Sequence, residues 1–171
     1  MSEMYAGSNI TALYLNAIAP QTGIVSSAQT IISTSPAAIS GLTATLEAGY
    51  TYTVRAWIVI ETAGGTSQAA CFQFTGPPSP SLYQLTLECL ENGVANNSMA
   101  NLSVGSAGYN SGTILTQALS SSASITYTVN LTMLLTTTAA GSLTLGAGLG
   151  TSNSDEQYSV LPGSYMQVQQ A

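Results

Sequence analysis

The chain has 171 residues, 45% of them hydrophobic and only 5% charged, against roughly 25% charged residues in an ordinary soluble globular domain. Histidine and lysine are absent, and Arg55 is the one basic residue against seven carboxylates, for a formal net charge of −6. These counts argue against phosphate neutralisation, and so against a nucleic-acid partner, and they remove the imidazole base, the amine nucleophile and the histidine metal ligand. The chain is therefore expected not to be an enzyme and to use no cofactor.

Such a length encloses one hydrophobic core with room for an arm beside it. With so few charges, the polar surface has to be built from Ser, Thr, Asn and Gln, which suits packing among like neighbours. The longest apolar runs, at 56–60 and 131–135, fall far short of the ~20 residues of a membrane-spanning helix, so no membrane partner is expected. The start, MSEMYAGSNITALYLN, has neither the basic region nor the continuous apolar core of a secretory leader, and synthesis in a cytosol is expected. Sequons at Asn9, Asn96, Asn101 and Asn130 are what a chain rich in Asn, Ser and Thr contains by chance.

Residues 1–35 read as an extended docking arm with one short strand. The apolar residues here follow no sustained period, and Ala19-Pro20 and Gly23 break the run. Yet Ile10, Leu13, Tyr14, Leu15, Ile18 and Ile24 are too many apolar side chains to leave in water, since a disordered tail is poor in them. A partner surface is expected to cover them, and Ile10, Leu13, Tyr14, Leu15 and Ile18 are candidate interaction residues.

From Ile39 onward the period is two, and residues 36–171 read as one β-sandwich domain. In residues 50–61 (YTYTVRAWIVIE), Tyr52, Val54, Ala56, Ile58 and Ile60 point one way and Thr53, Arg55, Trp57, Val59 and Glu61 the other. The spacing predicts a long strand with both faces largely covered. Ala63-Gly64-Gly65-Thr66 supplies a turn, residues 69–75 return as a strand, and Gly76-Pro77-Pro78-Ser79-Pro80 stops it. A further strand follows over 82–90, with Tyr83, Leu85, Leu87 and Cys89 sharing a face. If these two strands form a tight hairpin, Cys71 lies opposite roughly Leu85 and out of disulfide reach of Cys89, leaving two buried reduced thiols.

Residues 92–122, rich in Gly, Ser and Asn, read as long loops with weak edge strands at 102–104 and 113–119. Then Thr126-Tyr127-Thr128-Val129 repeats Thr51-Tyr52-Thr53-Val54, and Tyr127, Val129, Leu131, Met133 and Leu135 form one face. The two long strands are expected to be central, equivalent members of facing sheets, an internal duplication being the less favoured reading of the repeat. Residues 142–149 return, 151–158 form a loop, and 164–169 close the domain after Pro162-Gly163. Seven to nine strands with Gly, Pro and Ser turns predict an all-β fold, an antiparallel β-sandwich of jelly-roll type.

Paired carboxylates at Glu88/Glu91 and Asp155/Glu156 are the first place to look for acid–base chemistry, but no Arg or His nearby would separate their pKa values, and both pairs read as solvated surface acids. Asn153-Ser154-Asp155-Glu156 offers oxygen ligands at a spacing that fits no calcium loop. Ser120-Ser121-Ser122 and Thr136-Thr137-Thr138 lack a base and read as polar β-surface. Arg55, mid-strand beside Trp57, is expected to pair with Glu47, Glu61 or a neighbouring subunit.

Residues 49–80, GYTYTVRAWIVIETAGGTSQAACFQFTGPPSP, resemble a pattern of tailed-phage fibre head domains and head decoration proteins: a Tyr-x-Tyr/Phe-x-Val-x-Ala-x-Ile strand, a small-residue turn and a Phe-x-Phe-x-Gly-Pro return. The later parts of that pattern appear at 142–145, 151–154 and 161–165. The resemblance runs over about 39–169 and implies a trimeric β-sandwich on the virion with no catalytic residue. A fibre normally carries a stalk ahead of its head domain, and the expected role is therefore a capsid decoration (cement) protein. As such it would trimerise and dock on the major capsid protein through its arm, at the capsid surface, after synthesis in the host cytoplasm. A fibre head domain or a carbohydrate-binding module is the alternative, the latter because nine tyrosines and Trp57 could supply an aromatic platform.

Overall fold

The computed structural model describes residues 19–65, 69–91, 94–103, 108–150 and 157–171. Twelve strands and no helix lie among them: β1 Gln21–Ile24, β2 Gln29–Ile31, β3 Ala37–Leu46, β4 Thr51–Ala63, β5 Ala69–Thr75, β6 Leu82–Glu91, β7 Val94–Ser103, β8 Ile114–Ala118, β9 Ala123–Thr136, β10 Gly141–Leu149, β11 Tyr158–Val160 and β12 Tyr165–Gln170. All ladders between these strands are antiparallel. An eight-stranded sheet runs β1-β12-β4-β9-β6-β7, with β11 pairing β4 and β2, and a four-stranded sheet runs β3-β10-β5-β8. The fold is an antiparallel β-sandwich.

Period-two patterning builds it. Tyr52, Val54, Ala56, Ile58 and Ile60 of β4, Tyr127, Val129, Leu131, Met133 and Leu135 of β9, and Tyr83, Leu85, Leu87 and Cys89 of β6 are all buried on the inner side of the large sheet. Ile39, Leu42, Ala44 and Leu46 of β3, Phe72 and Phe74 of β5, and Leu143, Leu145 and Ala147 of β10 meet them from the small sheet in one continuous core. Removing these side chains from water is the main force holding the sheets together. Burial shifts phase in β3 between Ile39 and Leu42, where Gly41 adopts φ +89° and the register with β10 slips.

The repeated Tyr motif has a different meaning from the one expected. β4 and β9 do not sit in facing sheets; they are neighbours at the centre of one sheet, paired from Thr51↔Thr136 to Glu61↔Thr126. With β2 and β11 left out, both sheet orders read the same when β3, β4, β5, β6 and β7 are exchanged with β8, β9, β10, β12 and β1. Ala56 and Leu131, which carry the same sequence offset as the two Thr-Tyr-Thr-Val segments, face each other at the middle of the central ladder. The sandwich is thus laid out as two similar halves about that point.

The expected hairpin across the Gly-Pro turn is absent, because β5 belongs to the small sheet and β6 to the large one. Residues 76–80 carry the chain from one layer to the other, and three prolines keep that stretch out of either ladder. Tyr109 donates to the Pro77 carbonyl at 2.8 Å, and the Asn110 side chain bonds both the N–H and the carbonyl of Gly76. Cys71 and Cys89 are both buried and free, one in each layer.

The first part of the span read as an arm is outside the described residues; from Gln21 onward that span is part of the sheet. β1 pairs β12 and β2 pairs β11, and Val25 and Ile31 are buried. Of the edge strands expected within residues 92–122, that at 113–119 occurs as β8, whereas β7 occupies Val94–Ser103, a stretch read mostly as loop; each lies at the margin of its sheet. Between β11 and β12, Ser164 takes over the β4 ladder: its Oγ accepts from the Val59 N–H at 2.9 Å and donates to the Leu161 carbonyl at 2.8 Å.

Candidate functional site

The outer face of the large sheet carries the chemistry left over from folding. β4 turns Arg55 and Trp57 outward because its even-numbered residues are consumed by the core, and both are exposed, Trp57 at 41%. The expectation that both faces of this strand are largely covered is corrected here: among the described residues no second layer lies over Arg55 and Trp57. Register then aligns a row across the sheet, Ile24 opposite Tyr165, Tyr165 opposite Trp57, Trp57 opposite Asn130 and Asn130 opposite Glu88. Ile24 and Tyr165 are 58% and 38% exposed, so three large apolar side chains stand side by side in water.

The rows on either side complete the face. One runs Thr22, Gln167, Arg55, Thr132 and Thr86; the other holds Val59, Thr128 and Leu90. Asn130 donates to Glu88 Oε2 at 3.2 Å and fixes that carboxylate beside the apolar row. Arg55 is flanked by Gln167 and Thr132, neither of them charged. Glu61 shares its face but lies six residues along β4, about 20 Å away, so the expected pairing within the strand does not form. Glu47 sits in the turn before β4, where its N–H donates to the Tyr52 hydroxyl at 2.8 Å.

Other sequence candidates are absorbed by the fold. Glu88 and Glu91 lie three apart on β6 and so face opposite ways. Asp155, Glu156 and the oxygen-rich loop before them are outside the described residues, as are Ile10, Leu13, Tyr14, Leu15 and Ile18. Thr137 donates to the Glu47 carbonyl and Thr138 to the Ser79 carbonyl, and the Ser120 hydroxyl accepts from the Ser122 N–H, all as loop ties. Burial pushes both thiols up to about 11, which keeps them protonated and unreactive at neutral pH. Among the described residues no group of three or more His, Cys, Asp or Glu could hold a metal ion, and no helix is long and apolar enough to cross a membrane.

A groove at the end of the sandwich is lined by Gln21, Thr45, Glu47, Tyr52 and Gln170. The Gln21 amide donates to the Thr45 carbonyl at 2.7 Å and accepts from its N–H at 2.8 Å, so this side chain is committed to the backbone. Gln29 does the same further along, donating to the Ala38 carbonyl at 3.1 Å and accepting from the Ser40 N–H at 2.9 Å. Together the two amides occupy the free edge of β3.

No protein-family model and no curated protein matches the chain. Among solved structures it is similar to the infectious bursal disease virus VP2 subviral particle, at 10% identity and TM-score 0.22, over 88% of this chain and 39% of that one. A structure of the Gx strain of the same virus gives 11% identity and TM-score 0.21, over 88% and 38%. The chain therefore spans about two fifths of the viral chains it is compared with.

Sequence reasoning placed Arg55 and Trp57 on one face but missed Tyr165 and Ile24 as their neighbours. A period-two pattern gives the face of each residue, whereas the pairing of β12 with both β4 and β1 is what brings these side chains together.

Proposed function

We propose that this chain is a structural protein of a tailed-phage virion, a capsid decoration protein that trimerises, docks on the major capsid protein and carries out no catalysis. The observation that carries this reading is the exposed row Ile24, Tyr165, Trp57 beside Arg55 on a broad sheet. A contiguous apolar patch rimmed by polar residues marks a contact surface. Around it the face offers Thr, Gln and Asn, groups that pack against a neighbour with little desolvation of charge.

The segments that carry the resemblance to phage head proteins support the same reading. Within residues 49–80 lie β4, β5 and the proline passage between layers, and residues 161–165 contain Ser164, which joins β11 and β12 to β4. These residues build the frame, and the frame presents the face. Neither nucleic acid nor a cofactor enters this reading.

The test is cryo-electron microscopy of the particle that contains the chain. Density at repeated lattice positions between capsomers is the expected result. Density only on the tail or at one vertex would overturn the decoration role in favour of a fibre component, and absence from purified particles would overturn the virion assignment.

A further inference from the structure

Resting on the reading of a self-associating structural protein, we infer that the outer face of the large sheet, centred on Trp57, is where copies of this chain meet, with Arg55 pairing with the partner subunit's Glu88. The residue types at the centre come first. Ile24, Trp57 and Tyr165 are three of the six large apolar side chains exposed among the described residues, and they form one row. Trp, Tyr and Arg are the residues that protein interfaces concentrate at their energetic centres.

Charge selects the occupant. The chain carries seven carboxylates and one cation, so the ion pair that side chains of two copies can form is Arg55 against an acid. Arg55 and Glu88 lie two strands and one row apart on the same face, about 12 Å between Cα atoms. Each copy therefore presents both signs. Neighbouring copies of the chain carry the complement to each of these two charges, Glu88 for Arg55 and Arg55 for Glu88. The free edge of β3 is closed to strand addition by the Gln21 and Gln29 amides.

The sole tryptophan of the chain is Trp57, so its fluorescence reads the proposed contact directly. The experiment combines light scattering after size exclusion with emission spectra over a dilution series of the full chain. The wild type is expected to be oligomeric and to show Trp57 emission moving to longer wavelength as dilution separates the copies. Arg55→Glu and, separately, Tyr165→Ser should weaken association by roughly thirtyfold or more, the loss typical of a central interface residue, with far-ultraviolet circular dichroism unchanged. Arg55→Glu combined with Glu88→Arg should restore it.

Oligomers that survive both single substitutions would overturn this surface while leaving self-association intact. Failure of the charge swap to rescue would overturn the pairing with Glu88. A wild type that stays monomeric at its highest soluble concentration would overturn the self-association reading itself. In that case a Trp57-dependent signal on a glycan array would assign the face to a sugar.

Discussion

Tyr52 and Tyr127 perform the same task in the two halves of the sandwich. Tyr52 accepts the Glu47 N–H at 2.8 Å and Tyr127 the Ser120 N–H at 2.7 Å, each tying the loop before its own strand to the central ladder. Both rings are buried and only the hydroxyl reaches the loop. The arrangement resembles the tyrosine corners of other sandwiches. Tyr52→Phe and Tyr127→Phe should each cost about 1–3 kcal/mol, because a loop N–H loses its partner while the ring stays packed. Urea unfolding checks this: a midpoint unchanged in both variants would show that the hydroxyls do not hold the loops.

Gly23 and Gly41 let β1 and β3 cross at backbone contact. A Cβ on Gly23 would collide with the Gly41 carbonyl oxygen, and a Cβ on Gly41 with the Ile24 carbonyl oxygen. Gly41 also adopts φ +89°, where a side chain is strained. Gly41→Ala is expected to destabilise by about 2–4 kcal/mol from overpacking and backbone strain together. By contrast Gly163→Ala, at φ +86° with open space around its Cβ, should lose only the smaller strain component. Thermal melts of the two variants side by side separate collision from strain.

The amides of Gln21 and Gln29 act as replacement strand partners for β3. Changing both to Ala removes two donor and two acceptor contacts from that edge and should cost about 1–3 kcal/mol. The clearer readout is aggregation, since an exposed edge pairs with other chains. Light scattering on storage should rise faster in the double variant than in wild type; equal rates would show that β3 is protected by something else.

The thiols and phenols make the fold sensitive to alkali. Burial raises Cys71 and Cys89 from 9.0 to about 11, and desolvation also raises Tyr52 and Tyr127 above 10.0. A raised folded value means the neutral form is favoured by folding, so this stability is complete below about pH 9 and is lost as pH climbs toward and through the folded values. The urea midpoint is expected to stay level between pH 7 and 8 and to fall by pH 10.5. Neither thiol should react with a disulfide reagent at pH 7 in the native state, and both should react in urea. A native-state reaction at either thiol would contradict its burial.

Inward and outward sides of the strands were legible in the chain itself. Tyr52 to Ile60, Tyr83 to Cys89 and Tyr127 to Leu135 alternate as expected and are buried on the expected parity, because a strand in a two-layer fold must place every second residue in the core. Short strands were harder to see. β1, β2 and β11 have three or four residues, too few to establish a period.

By itself, then, the sequence determined the fold class, the buried set and a surface made of hydroxyls and amides, since these follow from local period and composition. Only the tertiary structure decided which strands are neighbours. It sent the Gly-Pro passage between layers instead of around a hairpin, and set β4 beside β9 in one sheet. The exposed apolar row was decided the same way: Trp57 meets Tyr165 through a ladder between residues more than a hundred positions apart, and hydrogen bonds at that range are settled by how the whole sandwich closes over its core.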